Sequence, residues 1–188
     1  MYNHIGFIFV TGNAGKAKYL ADYFHIPVTQ RKIDLPEIQS LSLREVVKDK
    51  AYRAYAEVGQ PVLIEDVSVV FDALSGLPGP LIKWFDKTLG NEGMCRLLDG
   101  YEDRGATTEV EFAYCDGENV HVFSGKVHGT IAKTPRGTGG FGWDRIFIPD
   151  GHEKTRGEMD GKEWHDSGMR KIALEKLGKF LEKIKSNE

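Results

Sequence analysis

The sequence predicts a mixed α/β fold built around one long central sheet. In the first half, apolar runs that suit buried strands alternate with helical patterns; hairpins and a closing helix fill the second half. The length of 188 residues suits one domain, or one domain with a small lobe, and 40% hydrophobic with 28% charged residues is typical of a globular protein. Two lobes around a cleft fit this order, and no linker divides them.

The first elements are a strand, a glycine turn and a helix. Ile5–Val10 is a short apolar run typical of a central strand, and it breaks at Thr11-Gly12-Asn13. Asn13 is a natural N-cap for the helix that follows, whose apolar face has helical spacing: Ala17, Leu20, Ala21 and Phe24. Residues 27–40 are predicted to form a second extended segment and a loop.

A capped helix and another strand come next. Ser42 opens a capping-box pattern, S-L-R-E, which predicts a helix that runs to about Val58 and stops at the following glycine. The apolar run 62–64 predicts a buried strand that ends at Glu65 and Asp66.

The second half is predicted to contain hairpins and a closing helix. Thr107–Cys115 alternates like a half-buried strand, and Asp116-Gly117 supplies the turn to its partner, Val120–Ser124. The remaining segments are a turn-rich loop over 75–80, short helices over 81–85 and 92–98, extended segments over 126–132 and 145–148, and a glycine cluster over 135–142. Apolar residues from Ala173 to Ile184 lie on one face of the last helix.

Charge and composition argue against several classes of protein. The formal charge is −3, from 25 Lys and Arg against 28 Asp and Glu, so we expect neither nucleic acid nor a membrane surface as partner. No apolar stretch approaches the ~20 residues of a membrane span, and the first residues lack a signal-peptide pattern. Two cysteines outside any C-x-x-C pair indicate buried thiols in a reducing cytoplasm, and the scattered histidines give no zinc spacing.

Thr11 to Lys16, TGNAGK, lies where a strand, a turn and a helix N-terminus meet. Backbone N–H groups and the positive helix end converge at such a junction, and Lys16 adds a full charge, so the segment predicts an anion site. It is not a Walker A loop, because Ala17 stands where that motif needs its second glycine. Plain strand–loop–helix architecture is the alternative.

Carboxylates and one lysine form a second set of candidates. Glu65 and Asp66 follow a buried strand, where α/β sheets place ligands, and Glu37 is a second carboxylate that could help to hold Mg²⁺. A solvated loop is the alternative for the Glu-Asp pair. Lys50 falls inside the apolar face of its helix, which is costly unless its amine reaches an anion or a partner, with Glu57 as the alternative partner.

Aromatic residues beside glycines form a third set. Phe141 or Trp143 could stack on a nucleobase, and Asp144 could accept hydrogen bonds from base N–H groups. The loop before Lys83 combines glycine, aromatic residues and charge in the same way. A tight turn over the core is the alternative for each fragment, but the three sets together supply what a nucleoside triphosphate site needs.

Six short segments, in one order over nearly the whole chain, carry a family resemblance. They are TGNAGK at 11–16, LPEIQ at 35–39, PVLIEDV at 61–67, GLPGPLIKWF at 76–85, EDRGA at 102–106 and GFGWDRIFIPDG at 140–151. Together they resemble the inosine triphosphate pyrophosphatase family. The resemblance implies one pyrophosphatase domain over 1–188, an elongated two-lobed α/β fold with an active-site cleft, and a homodimer. It also implies hydrolysis of ITP, dITP or XTP to the monophosphate and pyrophosphate with Mg²⁺.

The resemblance also implies roles by position. Glu37 and Asp66 would bind the metal, and Asp66 would act on the attacking water. Lys16 and Lys50 would be catalytic with Asp66. The substrate-binding set would be Thr11, Gly12, Asn13, Lys16, Lys50, Lys83, Phe141, Gly142, Trp143, Asp144 and Arg170.

Two departures from the family pattern concern the site. Val67 follows the Glu-Asp pair where the family usually has Ser or Thr. In the C-terminal motif Arg170 is kept, but Trp164, Gly168 and Met169 stand for Lys, Ser and His, in a segment that helps the family to read the purine 6-keto group. The alternatives are therefore the same chemistry with an altered or relaxed base preference, and a catalytically silent nucleotide-binding protein.

Overall fold

A mixed sheet forms the centre of the protein. The structure is a computed structural model that describes residues 7–186, so Ile5 and Gly6 of the predicted first strand lie outside the described residues. Within that range a seven-stranded sheet has the order β2-β1-β3-β5-β6-β7, and β4 pairs with β3 off this path. The strands are β1 (Ile8–Val10), β2 (Gln30–Arg31), β3 (Val62–Phe71), β4 (Pro78–Gly79), β5 (Gly105–Cys115), β6 (Val120–Ile131) and β7 (Phe147–Pro149). The predicted α/β class and long sheet are confirmed.

Helices cover both faces of the sheet. Over residues 7–186 they are α1 (Ala14–Phe24), α2 (Leu43–Val58), α3 (Ile82–Arg96), α4 (Gly161–Asp166) and α5 (Met169–Ser186). Short 3-10 turns occur at Asp72–Leu74, Gly142–Arg145 and Arg156–Glu158. None of the described helices is long and apolar enough to cross a membrane. Helix α4 has no counterpart in the sequence prediction, because six residues are too few to show an apolar period.

Strand β3 does not end where the sequence predicts. It pairs in parallel with β1 only at Ile8↔Val62 and Phe9↔Leu63, but it continues antiparallel to β5 as far as Phe71↔Ala106. What ends near Glu65 is the neighbouring strand β1, and the long hairpin partner β5 keeps β3 extended. The Glu-Asp pair is therefore part of a strand and not the start of a solvated loop.

Local signals that are complete within a few residues hold well. The α2 helix has its Ser42 N-cap and ends at Gly59 in the left-handed region, although the Glu45 carboxylate accepts its bond from the Ser40 hydroxyl and not from the cap residue. The two short helices predicted around 81–98 merge into α3 across a kink at Gly90. The two extended segments after 120 are one strand, β6, whereas the 145–148 segment begins in a 3-10 turn.

The core has two parts, one on each face of the sheet. Helix α2 packs over Ile64 and Ala113, while α1 and α5 pack over Leu63 and Phe112 on the other face. The core part under α1 and α5 extends to the far end of the sheet through residues of α3 and β7, among them Ile82, Met94 and Phe147. Different helices thus cover different parts of the long strands. The thiols of Cys95 and Cys115 are buried and free.

Candidate active site

The turn before α1 is closed by its own side chains. Asn13 Oδ1 accepts hydrogen bonds from the backbone N–H groups of Gly15 (2.9 Å) and Lys16 (3.3 Å), and the Asn13 N–H donates to Thr11 Oγ1 (3.1 Å). The predicted N-cap is confirmed, but two N–H groups expected to face an anion are already bound. A Cβ at Gly12 would meet only the Lys32 side chain, at 3.8 Å, so folding does not require glycine there.

Consecutive carboxylates on β3 point to opposite faces of the sheet. Glu65 lies on the face covered by α1 and α5, and Asp66 lies on the face covered by α2, because side chains alternate along a strand. Glu65 is 7% exposed and belongs to the buried interior, whereas the Asp66 side chain keeps 17% exposure. The strand therefore gives the two residues different tasks.

Lys50 joins the two predicted metal-binding carboxylates. Its Nζ lies 2.7 Å from Asp66 Oδ2 and 2.9 Å from Glu37 Oε2. Burial alone would lower the pKa of Lys50, but the two carboxylates outweigh burial and raise it, so the amine stays protonated. The alternative partner Glu57 is wrong. The Val67 N–H binds Asp66 Oδ1 at 2.9 Å, so this backbone group orients the carboxylate whatever side chain residue 67 carries.

Asp66 and Glu37 fit a magnesium ion by the chemistry of their donors. Both residues offer carboxylate oxygens, both bind the Lys50 ammonium, and both side chains remain partly exposed to solvent. Mg²⁺ is commonly held by one or two carboxylates with substrate phosphates and water completing its shell. Among residues 7–186 no group of three or more His, Cys, Asp or Glu is arranged to hold a metal ion.

Glu65 holds two cations of the site in place. Arg170 donates to Glu65 Oε1 from Nε (3.0 Å) and Nη2 (2.7 Å), and Lys16 Nζ lies 3.4 Å from the same oxygen. Burial alone would raise the pKa of Glu65, but Arg170 and Lys16 outweigh burial and lower it. Sequence reasoning missed this role for Glu65, although strand alternation next to Asp66 was the available signal.

The predicted purine-binding residues meet at the start of α4 and α5. Asp144 is buried, its Oδ1 accepts from Arg156 Nε (2.9 Å), and its Oδ2 accepts from the Phe141 N–H (3.0 Å) and Trp164 Nε1 (2.9 Å). Trp143 is 8% exposed and packs in the core, so the tight-turn alternative also holds for it. The three hydrogen bonds that Asp144 accepts thus all come from other groups of the protein.

Trp164 fills most of this pocket. Its ring lies 4.7 Å from Arg156 Cζ, 5.7 Å from the Tyr19 ring and 5.9 Å from the Phe141 ring. The remaining cavity measures about 10 Å³, which is room for about one water molecule. A purine therefore fits here only if the lining of the pocket moves, and Trp164 is the lining residue whose side chain binds Asp144 Oδ2.

The outer residues of the predicted set differ in how they are held. Phe141 is exposed and lies 4.9 Å from Arg170 Cζ, so these two residues do meet at the mouth of the pocket. Gly142 has a positive φ of 59°, and its carbonyl accepts from Asn91 Nδ2. Lys83 is exposed beside the Trp84 ring, at 5.6 Å, and among the described residues it pairs with no carboxylate of the site.

Two lysines and two carboxylates beside strand β3 of a mixed sheet, next to an aromatic pocket, make this an α/β protein with a charged cleft. The chain belongs to the Ham1 family, whose family model matches residues 7–180. It is 44% identical over 169 residues to "Inosine triphosphate pyrophosphatase 2" of Trypanosoma cruzi (strain CL Brener), covering 88% of this chain and 86% of that protein. It is 44% identical over 179 residues to "Inosine triphosphate pyrophosphatase" of Yarrowia lipolytica (strain CLIB 122 / E 150), covering 93% and 94%.

Solved structures share the fold. A HAM1 protein from Coxiella burnetii superposes with a TM-score of 0.83 at 24% identity, covering 96% of this chain and 100% of that one. The dITP/XTP pyrophosphatase from Mycobacterium abscessus superposes with a TM-score of 0.74 at 26% identity, covering 90% and 97%. The family resemblance read from the six segments is therefore confirmed.

Proposed function

We propose that this protein hydrolyses non-canonical purine nucleoside triphosphates, ITP, dITP and XTP, to the monophosphate and pyrophosphate. The names of its relatives support this reaction, and one observation in the cleft carries it. The Lys50 ammonium lies between Asp66 and Glu37, and Lys16 of α1 reaches the backbone carbonyl of Glu65, the residue before Asp66, at 3.4 Å. Opposite charges held at an open edge are what a triphosphate and its cation need.

The residues divide the work of attack on the α-phosphorus. Asp66 would take the proton of the attacking water, since its carboxylate is oriented by the Val67 N–H and partly exposed. Lys50 and Lys16 neutralise phosphate oxygens and the leaving pyrophosphate. We propose that Glu37 and Asp66 hold Mg²⁺, which when bound supplies positive charge to the phosphate oxygens as a Lewis acid.

When the nucleotide binds, Lys50 and Trp164 must exchange hydrogen-bond partners that they have in the unbound protein. Lys50, now bound to Glu37 and Asp66, would turn part of its ammonium to phosphate if these carboxylates also held Mg²⁺. At the other end, Trp164 must give up its bond to Asp144 before a purine N–H can take that oxygen.

We further propose that the protein acts in the cytoplasm as a homodimer. The family resemblance supports the dimer, and the free buried thiols agree with a reducing compartment. Light scattering of the purified chain tests the dimer directly, with the mass of two chains as the expected result.

The decisive experiment measures products from ITP, XTP, dGTP, dUTP and ATP with Mg²⁺ and with chelator. We expect pyrophosphate and the nucleoside monophosphate from ITP and XTP, no orthophosphate, and loss of turnover with chelator. Calorimetric binding of ITP without any pyrophosphate would instead establish a silent nucleotide-binding protein. Equal turnover of all five substrates would favour relaxed base preference, which Trp164, Gly168 and Met169 make the second candidate.

A further inference from the structure

Arg156 is a buried cation in the wall of the base pocket, and sequence reasoning gave it no role. The residue is 7% exposed. Its Nε donates to Asp144 Oδ1 at 2.9 Å, and its Nη1 donates to the Trp164 carbonyl (2.8 Å) and Ser167 Oγ (2.9 Å). Over the described part of the chain, Nη2 has no hydrogen-bond acceptor. One strong donor in the pocket is therefore left for a ligand.

Gly168 provides the space in which the Arg156 guanidinium lies. A Cβ at position 168 would come within 3.1 Å of Nη1 and 3.2 Å of Nη2, closer than most real Cβ contacts. The backbone of Gly168 does not have a positive φ, so the space and not the conformation calls for glycine. The missing side chain at 168 and the arginine at 156 thus form one arrangement.

Arg156 and Asp144 present a donor and an acceptor side by side. In a planar guanidinium, Nη2 lies on the same edge as Nε, and Nε is bound to Asp144. A 6-oxopurine offers the matching pair on neighbouring atoms, the N1–H donor and the O6 acceptor. Adenine offers the reverse, an N1 lone pair towards the carboxylate and an amino group towards the guanidinium. Buried groups left unpaired in this way reject the wrong ligand strongly.

We propose that Arg156 is a specificity-determining residue, whose Nη2 donates to the O6 of the purine while Asp144 accepts from N1–H. The inference rests on the proposed function, of which it names the base-reading group. Guanine has the same N1–H and O6 edge, so the pair selects 6-oxopurines against adenine and not inosine against guanosine.

Trp164 supports the acceptor half of this reading. Its indole N–H now donates to Asp144 Oδ2 across the face of the Arg156 guanidinium, so the pocket already accepts an N–H from a flat bicyclic ring. Displacing Trp164 costs the same for every base. Preference among bases therefore depends on the groups that face the bound base, and these are Asp144 and Arg156.

The test compares Arg156→Met with Arg145→Gln, a nearby arginine whose Nε binds the Gly137 carbonyl outside the pocket. The measured quantity is the ratio of kcat/KM for ITP to that for ATP, which does not depend on how much of the variant folds. Arg156→Met should lower this ratio at least tenfold and leave the ITP-to-GTP ratio within about twofold, since both 6-oxopurines lose the same bond. Arg156→Lys should restore part of the ratio, and Arg145→Gln should not change it.

A smaller perturbation separates recognition of the base by Arg156 from structural support of the pocket. Gly168→Ala keeps the arginine but pushes its guanidinium, and should lower the ITP-to-ATP ratio in the same direction by about threefold. An Arg156→Met ratio within twofold of the wild type would overturn the proposal. The proposal would also be overturned if Arg156→Met lowered the ITP-to-ATP ratio and the ITP-to-GTP ratio equally, because Arg156 would then only support the pocket.

Binding keeps the proposal testable if turnover fails. Titration calorimetry with IMP and AMP measures base preference without chemistry. A wild type that prefers IMP, with the preference lost in Arg156→Met, supports Arg156 even if no pyrophosphate is released and the proposed reaction is wrong. A wild type that releases pyrophosphate but shows no preference for IMP keeps the reaction and overturns the role of Arg156.

Discussion

The two ends of the cleft hold their charged groups in opposite ways. At the phosphate end, Lys50 and Asp66 keep 19% and 17% of their side chains exposed and bind each other across an open edge. At the base end, the side chains of Asp144 and Arg156 are only 7% and 8% exposed, and the Trp164 ring packs against the Arg156 guanidinium. The phosphate end can receive a ligand by sharing charges, whereas the base end must first give up an internal hydrogen bond. In the proposed function, catalysis and base selection would thus rest on sites that are held in different ways.

The largest effect is expected from removing the charge of Asp66. Asp66→Asn takes away the proposed base, a metal ligand and the partner of Lys50, so pyrophosphate release from ITP should fall at least a thousandfold. Circular dichroism and the melting temperature should change little, since the side chain is partly exposed. Glu109→Gln, which removes a carboxylate paired with Lys126 on the neighbouring strand, is the matched control with near-normal turnover. Activity of Asp66→Asn within tenfold of the wild type would remove Asp66 from the chemistry.

The next effect concerns the residue that couples the two ends. Glu65→Gln leaves Arg170 and Lys16 without their shared buried carboxylate, which should cost about 3–5 kcal/mol of unfolding free energy. For a chain of this size we expect the melting temperature to fall by roughly 10 °C. Glu118→Gln, in the exposed β5–β6 turn, should leave it unchanged. A shift of less than about 2 °C would mean that the buried pair does not hold the ends together.

The pH dependence of this loss has a defined sign. The pKa of Glu65 is lowered in the folded state below its ordinary value of 4.5. Its contribution to stability is therefore complete above that value and is lost as the pH falls towards the lowered folded pKa. The difference in unfolding free energy between wild type and Glu65→Gln should be constant from pH 6 to 8, and it should shrink below about pH 4.5. Urea titrations at each pH measure it.

Lys16 sharpens the phosphate half of the comparison. Lys16→Ala removes a mostly buried ammonium at the helix start, so the KM for ITP should rise about tenfold, with a smaller change in kcat. Lys18→Ala is the control on the same helix, because Lys18 is exposed and pairs with Asp22, away from the cleft. If KM and kcat are both unchanged in Lys16→Ala, this lysine does not touch the triphosphate.

The smallest effect is expected at the closed end. Trp164→Phe keeps an aromatic ring but removes the N–H bond to Asp144, so opening the pocket should cost less, and KM should fall about fivefold. ITP and ATP should change together, because the bond is broken for either base. Trp84→Phe, an exposed tryptophan on α3, is the control. An unchanged KM would show that the indole does not limit entry of the base.

Local sequence signals predicted the ends of α1 and α2 well. The Asn13 cap, the Ser42 helix start and the glycine stop at 59 each involve groups a few residues apart, so their hydrogen bonds are encoded locally. The apolar environment of Lys50 correctly predicted a buried amine with an anionic partner. It named Glu57 as the alternative partner, because helical spacing says nothing about residues on a neighbouring strand.

Long-range pairing decided what the sequence could not. The end of β3 was misplaced because β5, more than forty residues later, continues its hydrogen bonds. The contacts of Arg156 and Trp164 with Asp144 were missed for the same reason: they come from segments 12 and 20 residues away, and only packing shows that they satisfy the carboxylate. Nothing in the local pattern of Arg156 distinguishes it from an exposed arginine.

By itself the sequence determined the α/β class, the capped ends of α1 and α2 and the family, because these depend on periodicity, capping and ordered motifs within short windows. Only the tertiary structure decided that Glu65 and Asp66 serve opposite faces, that Glu65 joins Lys16 to Arg170, and that Trp164 closes the pocket. These facts depend on which strand lies beside which and on which buried charge finds a partner. Burial makes such partners obligatory, but the folded chain chooses them.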